Sequence, residues 1–339
     1  MKLAYNHFPT RNYIAGATPL QYAPRLSALL GGPDIFIKRD DTLDGGNKTR
    51  KLEFVIGEAL ARGADTLVTC GAPQSNHCKA TLSYANREGL ECHLIIKEAV
   101  PGSYSPLSGG NNLLFNLLGA SSIRVVSVEA DLDEELELTA RQLEKTGRKP
   151  YTIPVGASTP LGTLGYVCGA REILHQADTE NISIDHIIVP SGSGGTHAGL
   201  LVGLQEASRS IPVTGINVLC GRIKQEEKVR VLAERTMDLL ESSFSGLSTP
   251  VRCLDKYLGE GYTRPTRGMI EAVKTAARTE ALVLDPVYSG KAMAGMIDLI
   301  RTRFLKRGEN VVFLHTGGLP ALFEYKKIFL LPGSDPGKD

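Results

Sequence analysis

The sequence predicts an α/β fold in two domains, with parallel sheets covered on both faces by helices. Three observations carry that expectation. Short apolar runs recur without hydrophobic–polar alternation, as strands buried on both faces require. Amphipathic stretches of helical period separate them. The length, 339 residues, suits about two domains at roughly 150 residues each.

The elements follow in order. Residues 34–38 (DIFIK) read as a strand and 48–62 as an amphipathic helix. Residues 66–70 (TLVTC) form a strand, 76–88 a helix, 92–97 a strand, 111–118 a helix and 123–128 a strand. The helix at 132–145 opens with acidic residues, which the helix dipole favours. A strand starts at 151–154 and a helix at 161–176, then come strand 186–190, helix 196–207 and strand 213–219. Helices dominate 224–280, followed by helix 291–306 and a last strong strand at 311–315. Lys326-Lys327 and the polar tail, 332–339, read as a solvated chain end.

Composition narrows the function classes. Hydrophobic residues make up 42% and charged residues 22%, ordinary for a globular protein. With 38 Lys+Arg against 37 Asp+Glu, the net charge of +1 gives no basic face for nucleic acid or an anionic membrane. The first seven residues contain no apolar signal-peptide core. Residues 99–123, 150–170 and 186–206 are nearly free of charge, but Gly, Ser, Thr, Asn and Pro make them too polar to cross lipid. The cysteines (Cys70, Cys78, Cys92, Cys168, Cys220, Cys253) form no C-x-x-C pair and no ligand spacing with His. The expectation is free thiols in a reducing cytoplasm and no metal site.

Ligands of open parallel sheets sit at the carboxyl ends of strands, and four unusual segments fall there. In Gly45-Gly46-Asn47-Lys48-Thr49-Arg50-Lys51, a lysine follows a glycine turn at a helix start. Helix dipole and burial would both favour its neutral, nucleophilic form; a solvated basic turn with Arg50 and Lys51 is the alternative. In Gly71-Ala72-Pro73-Gln74-Ser75-Asn76-His77, amides and a hydroxyl meet the free N–H groups of a starting helix. This suits a carboxylate, although plain N-capping by Ser75 or Asn76 explains it equally, and His77 reads as a positioned or core histidine. Pro190-Ser191-Gly192-Ser193-Gly194-Gly195-Thr196 reads as a strand–loop–helix anion cradle, with a tight structural turn as the alternative. It is neither a Walker loop nor a dinucleotide fingerprint, because the acidic ribose partner is missing after the next strand. Thr316, in His315-Thr316-Gly317-Gly318, can hydrogen-bond a ring atom. An activated amine, a phosphate cradle and a carboxylate clip together suit pyridoxal phosphate acting on an amino acid.

These segments, with Pro286-Val287-Tyr288-Ser289-Gly290-Lys291-Ala292-Met293, resemble the D-cysteine desulfhydrase and 1-aminocyclopropane-1-carboxylate deaminase family of fold-type-II pyridoxal-phosphate enzymes. The resemblance spans essentially the whole chain in the same motif order. It implies a larger cofactor-binding domain from 1–53 and 158–339, with 54–157 inserted as the smaller one, and a homodimer. It implies that Lys48 carries the cofactor covalently, with Asn47 beside it; Lys48 is then the expected base for the α-proton, with Ser75 or a tyrosine on the other face as the alternative. Asn76 contacts the ring oxygen, and Ser193, Gly194, Gly195 and Thr196 hold the phosphate. Gln74, Ser75, Asn76 and His77 bind the substrate, Ser75 relays a proton, and Tyr262 and Tyr288 are active-site tyrosines.

Ser289 and Thr316 stand where cyclopropane deaminases typically have Glu and Leu, pointing to the desulfhydrase branch. A neutral hydroxyl near the ring suits simple elimination, whereas a carboxylate favours a protonated, more electron-withdrawing ring. The expected reaction is β-elimination of D-cysteine to pyruvate, ammonia and hydrogen sulfide. The family's usual Gly-Tyr-Gly-Val-Pro is replaced by Gly261-Tyr262-Thr263-Arg264-Pro265, and Ser108-Gly109-Gly110-Asn111-Asn112 is also atypical. Arg264, if it faced the site, would favour an anionic side chain and an L-cysteate sulfo-lyase. Cyclopropane deamination, a non-catalytic cofactor-binding protein and a nicotinamide dehydrogenase are the remaining alternatives.

Overall fold

The computed structural model describes Tyr5 and residues 7–330. The expected polar tail, 332–339, lies outside the described residues, as do most of the first seven. In chain order the elements are β1 (Leu20–Tyr22), α1 (Pro24–Leu30), β2 (Asp34–Arg39), α2 (Asn47–Ala61), β3 (Thr66–Gly71), α3 (Asn76–Glu88) and β4 (Glu91–Lys97). Then come α4 (Gly110–Leu117), β5 (Ser122–Val126), α5 (Leu132–Glu144), β6 (Pro150–Ile153), α6 (Pro160–Glu180), β7 (His186–Ser191), α7 (Gly195–Glu206) and β8 (Val213–Asn217). The last are α8 (Arg222–Leu239), β9 (Arg252–Leu254), α9 (Arg267–Glu280), α10 (Ser289–Arg301), β10 (Asn310–His315), α11 (Leu319–Leu322) and α12 (Lys326–Leu330).

Six strands form one sheet in the order β1-β2-β10-β7-β8-β9, and four form another in the order β5-β4-β3-β6. Every position of β3, β7 and β8 is buried, which is why their sequences do not alternate. All pairings are parallel except β1 with β2. The sequence reading contains neither β1 nor β9. Each has three residues, too few to display a period. Helices α8 and α9 dominate 224–280 as expected, with the three-residue β9 between them. Apolar side chains pack on both faces of the larger sheet: α6, α7 and α8 cover one, α9 and α10 the other. The smaller sheet is likewise packed on both faces. All six cysteines are free, as expected.

Helix α2 packs against α6, and α6 against α7, at backbone distance. A Cβ added at Gly165 of α6 would lie 2.2 Å from Arg50 O of α2. On the other side of α6, a Cβ at Gly199 of α7 would meet Tyr166 Cβ at 2.5 Å. Only hydrogen fits at these crossings, so α2, α6 and α7 approach at backbone distance. Arg50 adds charge-assisted bonds, to Asp40 at 2.7 Å and Glu172 at 2.8 Å. Lys38 also pairs with Glu172, so the buried cluster of two cations and two carboxylates is neutral. Arg50 and Lys51 are therefore both buried rather than part of a solvated basic turn.

Candidate active site

Strands β2, β10 and β7 are neighbours in the larger sheet, so the loops at their carboxyl ends lie side by side. They line a cavity of about 370 Å³, which the loops following β3 and β6 close from the smaller sheet. The glycine turn that leads into α2 brings Lys48 to this wall. Gly46 has φ +56°, and a Cβ there would lie 2.3 Å from Thr316 O, so only glycine allows the β2 and β10 loops to meet. Asn47 N–H donates to that same carbonyl at 3.1 Å. Lys48 Nζ donates to Asn47 Oδ1 at 2.8 Å and lies 5.9 Å from the centre of the Tyr288 ring. Burial pushes its pKa down to about 8, against the opposing pull of Asp285.

At the end of β7, Gly194 takes φ +94° and α7 begins without a side-chain cap. The amides of Thr196 and His197 have no backbone acceptor among the described residues. Thr196 Oγ1 accepts from Asn47 Nδ2 at 3.0 Å, and Ser193 Oγ accepts from Ser158 Oγ at 2.8 Å. Both hydroxyls thus keep a proton to donate. Behind the loop, buried Lys51 donates to Ser158 Oγ at 3.0 Å and Gly156 O at 3.1 Å. A Cβ on Gly195 would come within 2.7 Å of Lys51 Nζ. The result is an anion cradle of amides and hydroxyls with an amine beneath it.

At the end of β3, Ser75 caps α3 by accepting from Cys78 N at 3.1 Å, which leaves its own proton free. Ser75, Asn76 and His77 line the cavity. His77 Nε2 lies 2.7 Å from Thr69 Oγ1, and burial together with Lys48 and Lys51 pushes its pKa well below the ordinary value. It is a neutral histidine held by Thr69. Across the cavity, Tyr262 and Tyr288 share a hydrogen bond of 2.5 Å with rings tilted by 72°. Burial pushes Tyr262 up to about 12 and Tyr288 well above its usual range, so both remain protonated phenols near neutral pH.

The profile of the pyridoxal-phosphate dependent enzyme family matches residues 12–317. The chain belongs to this family. The D-cysteine desulfhydrase of Salmonella typhimurium is 41% identical over 94% of this chain and 96% of its own. That of Klebsiella pneumoniae is 42% identical with the same coverage. A crystal structure described as an ACC deaminase homologue superposes with TM-score 0.86 at 35% identity, covering 97% of this chain and 98% of its own. A fungal L-serine ammonia-lyase from Rhizomucor miehei, at TM-score 0.62 and 22% identity over 93% of this chain and 99% of its own, shares the fold. The protein is a fold-type-II pyridoxal-phosphate enzyme.

The residues of this family member fit its cofactor. The unpartnered amides and free hydroxyls of the cradle suit a phosphate dianion, and the desolvated Lys48 amine suits an aldehyde. Most expected site residues face the cavity, including Asn47, Lys48, Ser193, Gly194, Thr196 and Thr316. Four expectations change. Gly195 gives its N–H to Ser158 Oγ at 3.3 Å behind the cradle. Gln74 is turned aside: its Oε1 accepts from Asn111 N at 2.7 Å and its Nε2 donates to Gly109 O. Ser289 lies beneath the site, fully buried, with its hydroxyl donating to Asp285 Oδ1 at 2.7 Å. Arg264 is exposed and off the cavity wall.

Sequence reasoning missed Asp285, whose buried carboxylate also accepts from the amides of Val287, Tyr288 and Ser289. Its signal was an acidic residue directly before the Pro286-Val287-Tyr288 motif. It missed Lys51 as well, which stands one helical turn after Lys48 and so shares its face.

Proposed function

We propose that this enzyme eliminates hydrogen sulfide from D-cysteine, leaving pyruvate and ammonia. The geometry that carries the reading is the opening of a desolvated amine, an anion cradle and a carboxylate clip onto one cavity. The likeness to two D-cysteine desulfhydrases over 94% of the chain supports the substrate. Pyridoxal phosphate, when bound, supplies an electron sink for the charge left at the substrate's α-carbon.

The chain's residues do the rest. Lys48 Nζ would hold the cofactor's aldehyde and would serve as the base for the α-proton at that nitrogen. The amides and hydroxyls of Ser193, Gly194 and Thr196 hold the phosphate, with Gly195 and Lys51 behind them. Ser75 donates its free hydroxyl to the substrate carboxylate beside the amides that open α3. Tyr288, tied to Tyr262, orients the departing sulfur and can give it a proton. Thr316 bounds the cavity at the β10 edge.

Residues 54–157 are read as the smaller domain, although the boundary falls within the continuous helix α2. Working as a homodimer is supported by an apolar face on α4 and the segment after α11. There Leu113, Leu117 and Phe323 are 55%, 74% and 60% exposed, and Leu107, in the loop before α4, is 94% exposed. Six free cysteines and the lack, among described residues, of any helix long and apolar enough to cross a membrane support a cytoplasmic setting. The exposed position of Arg264 removes the support for a cysteate substrate.

The test is a panel of D- and L-cysteine, D- and L-cysteate and 1-aminocyclopropane-1-carboxylate, read as sulfide, sulfite, oxoacid and ammonia. Sulfide and pyruvate in equal amounts from D-cysteine, with slower turnover of the rest, is the expected result. Faster oxoacid release from the cyclopropane substrate overturns the reading.

A further inference from the structure

Asn111 takes no part in the mechanism above. It lies at the start of α4, fully buried and off the cavity wall. Its side-chain nitrogen donates to two oxygens, Gln74 O at 3.0 Å and Asn76 Oδ1 at 2.7 Å. The first is a backbone carbonyl and can only accept, so the Asn111 atom facing it must be the NH2 group. That same group meets Asn76, which must therefore turn its carbonyl oxygen toward Asn111. One orientation remains for the Asn76 amide: its NH2 group points away from α4, toward Gly318 and the cavity. Asn76 Nδ2 has no acceptor among the described residues. A Cβ on Gly318 would lie 2.9 Å from it, so glycine keeps that side clear.

The turn before α4 is built for this contact. Gly110 has φ +60°, and a Cβ there would lie 2.4 Å from Gln74 Oε1. Gln74 is in turn clasped by Asn111 N and Gly109 O. The atypical Gly109-Gly110-Asn111 thus holds the Gln74-Ser75-Asn76 loop from behind.

We propose that Asn111 is a positioning residue that fixes Asn76 as a hydrogen-bond donor, aimed at an anionic oxygen of the bound ligand. A freely rotating Asn76 would present its carbonyl part of the time, setting lone pair against lone pair. The proposal rests on the reading of this cavity as the cofactor and amino-acid site. The anionic oxygen belongs either to the cofactor ring or to the substrate carboxylate, and the test separates them.

The experiment places Asn111→Ala and Asn111→Ser each in the wild-type and the Asn76→Ala backgrounds. The readouts are the visible absorbance of the cofactor-loaded protein without substrate, and the affinity for D-alanine, which has no β leaving group. A ring-oxygen acceptor shifts the resting absorption band. A carboxylate acceptor weakens D-alanine binding roughly tenfold or more and leaves the band in place. In either case the Asn111 changes have no further effect once Asn76 is alanine, because they act through it.

An unchanged band with unchanged affinity overturns the proposal. So does an effect of equal size in the Asn76→Ala background, or failure of both Asn111 variants to fold, which would make Asn111 a residue of the fold alone. A wild-type protein that shows no visible band when loaded would instead overturn the site reading itself.

Discussion

Lys48 sits in the first turn of α2 with its amine desolvated, and burial outweighs the attraction of Asp285. Its pKa of about 8 means that the neutral, nucleophilic amine gains population as pH rises through 8 rather than through the ordinary lysine range. Capture of pyridoxal phosphate by the cofactor-free protein is therefore expected to accelerate between pH 7 and 9 and then level off. A rate still climbing steeply above pH 10, in stopped-flow absorbance, contradicts this. A second residue-scale prediction concerns Thr263, a β-branched residue at φ +66° beside Tyr262. The left-handed region suits it poorly, so Thr263→Gly is expected to raise stability by about 1 kcal/mol, measured by urea unfolding.

Lys48, Ser75 and the residues around Ser193 were legible because each stands at a loop-to-helix junction whose composition announces a helix start. Asp285, Lys51 and Asn111 were not, because burial and the direction of a side chain are set by distant parts of the chain. Ser289 misled for the same reason: adjacency to Tyr288 in sequence does not put both on the cavity wall.

Helix α2, which carries Lys48, is placed against α6 by backbone contact rather than by side-chain bulk. Gly165 lets α6 meet α2 at Arg50, one turn before Phe54 enters the core. Gly165→Ala is expected to destabilise the fold by about 1–3 kcal/mol, because the colliding partner is main chain and cannot swing aside. Chemical denaturation measures the loss, and weaker cofactor retention should accompany it as α2 shifts. Unchanged stability and retention would contradict a close-packed α2–α6 crossing. The long helices and fully buried strands were legible from period and apolar runs, and α3 runs over the expected 76–88. The short strands β1 and β9 were hidden because three residues carry no period and their pairing depends on a neighbour elsewhere in the chain.

At the scale of the whole molecule, two sheets turn their carboxyl ends to one cavity, and an apolar face on α4 and the segment after α11 stays uncovered. Self-association through that face is expected, and Leu117→Asp, 74% exposed in the single chain, should shift the protein toward monomer in sedimentation velocity. An unshifted dimer would place the interface elsewhere. The central claim is that the cavity delivers a pyridoxal aldehyde to Lys48 Nζ and to no other lysine, although Lys51 lies one turn away. Borohydride reduction of the cofactor-loaded protein, followed by peptide mass mapping, tests this most directly. One pyridoxyl adduct is expected, on Lys48, and none on a Lys48→Ala protein. An adduct on Lys51, or no adduct at all, would contradict it.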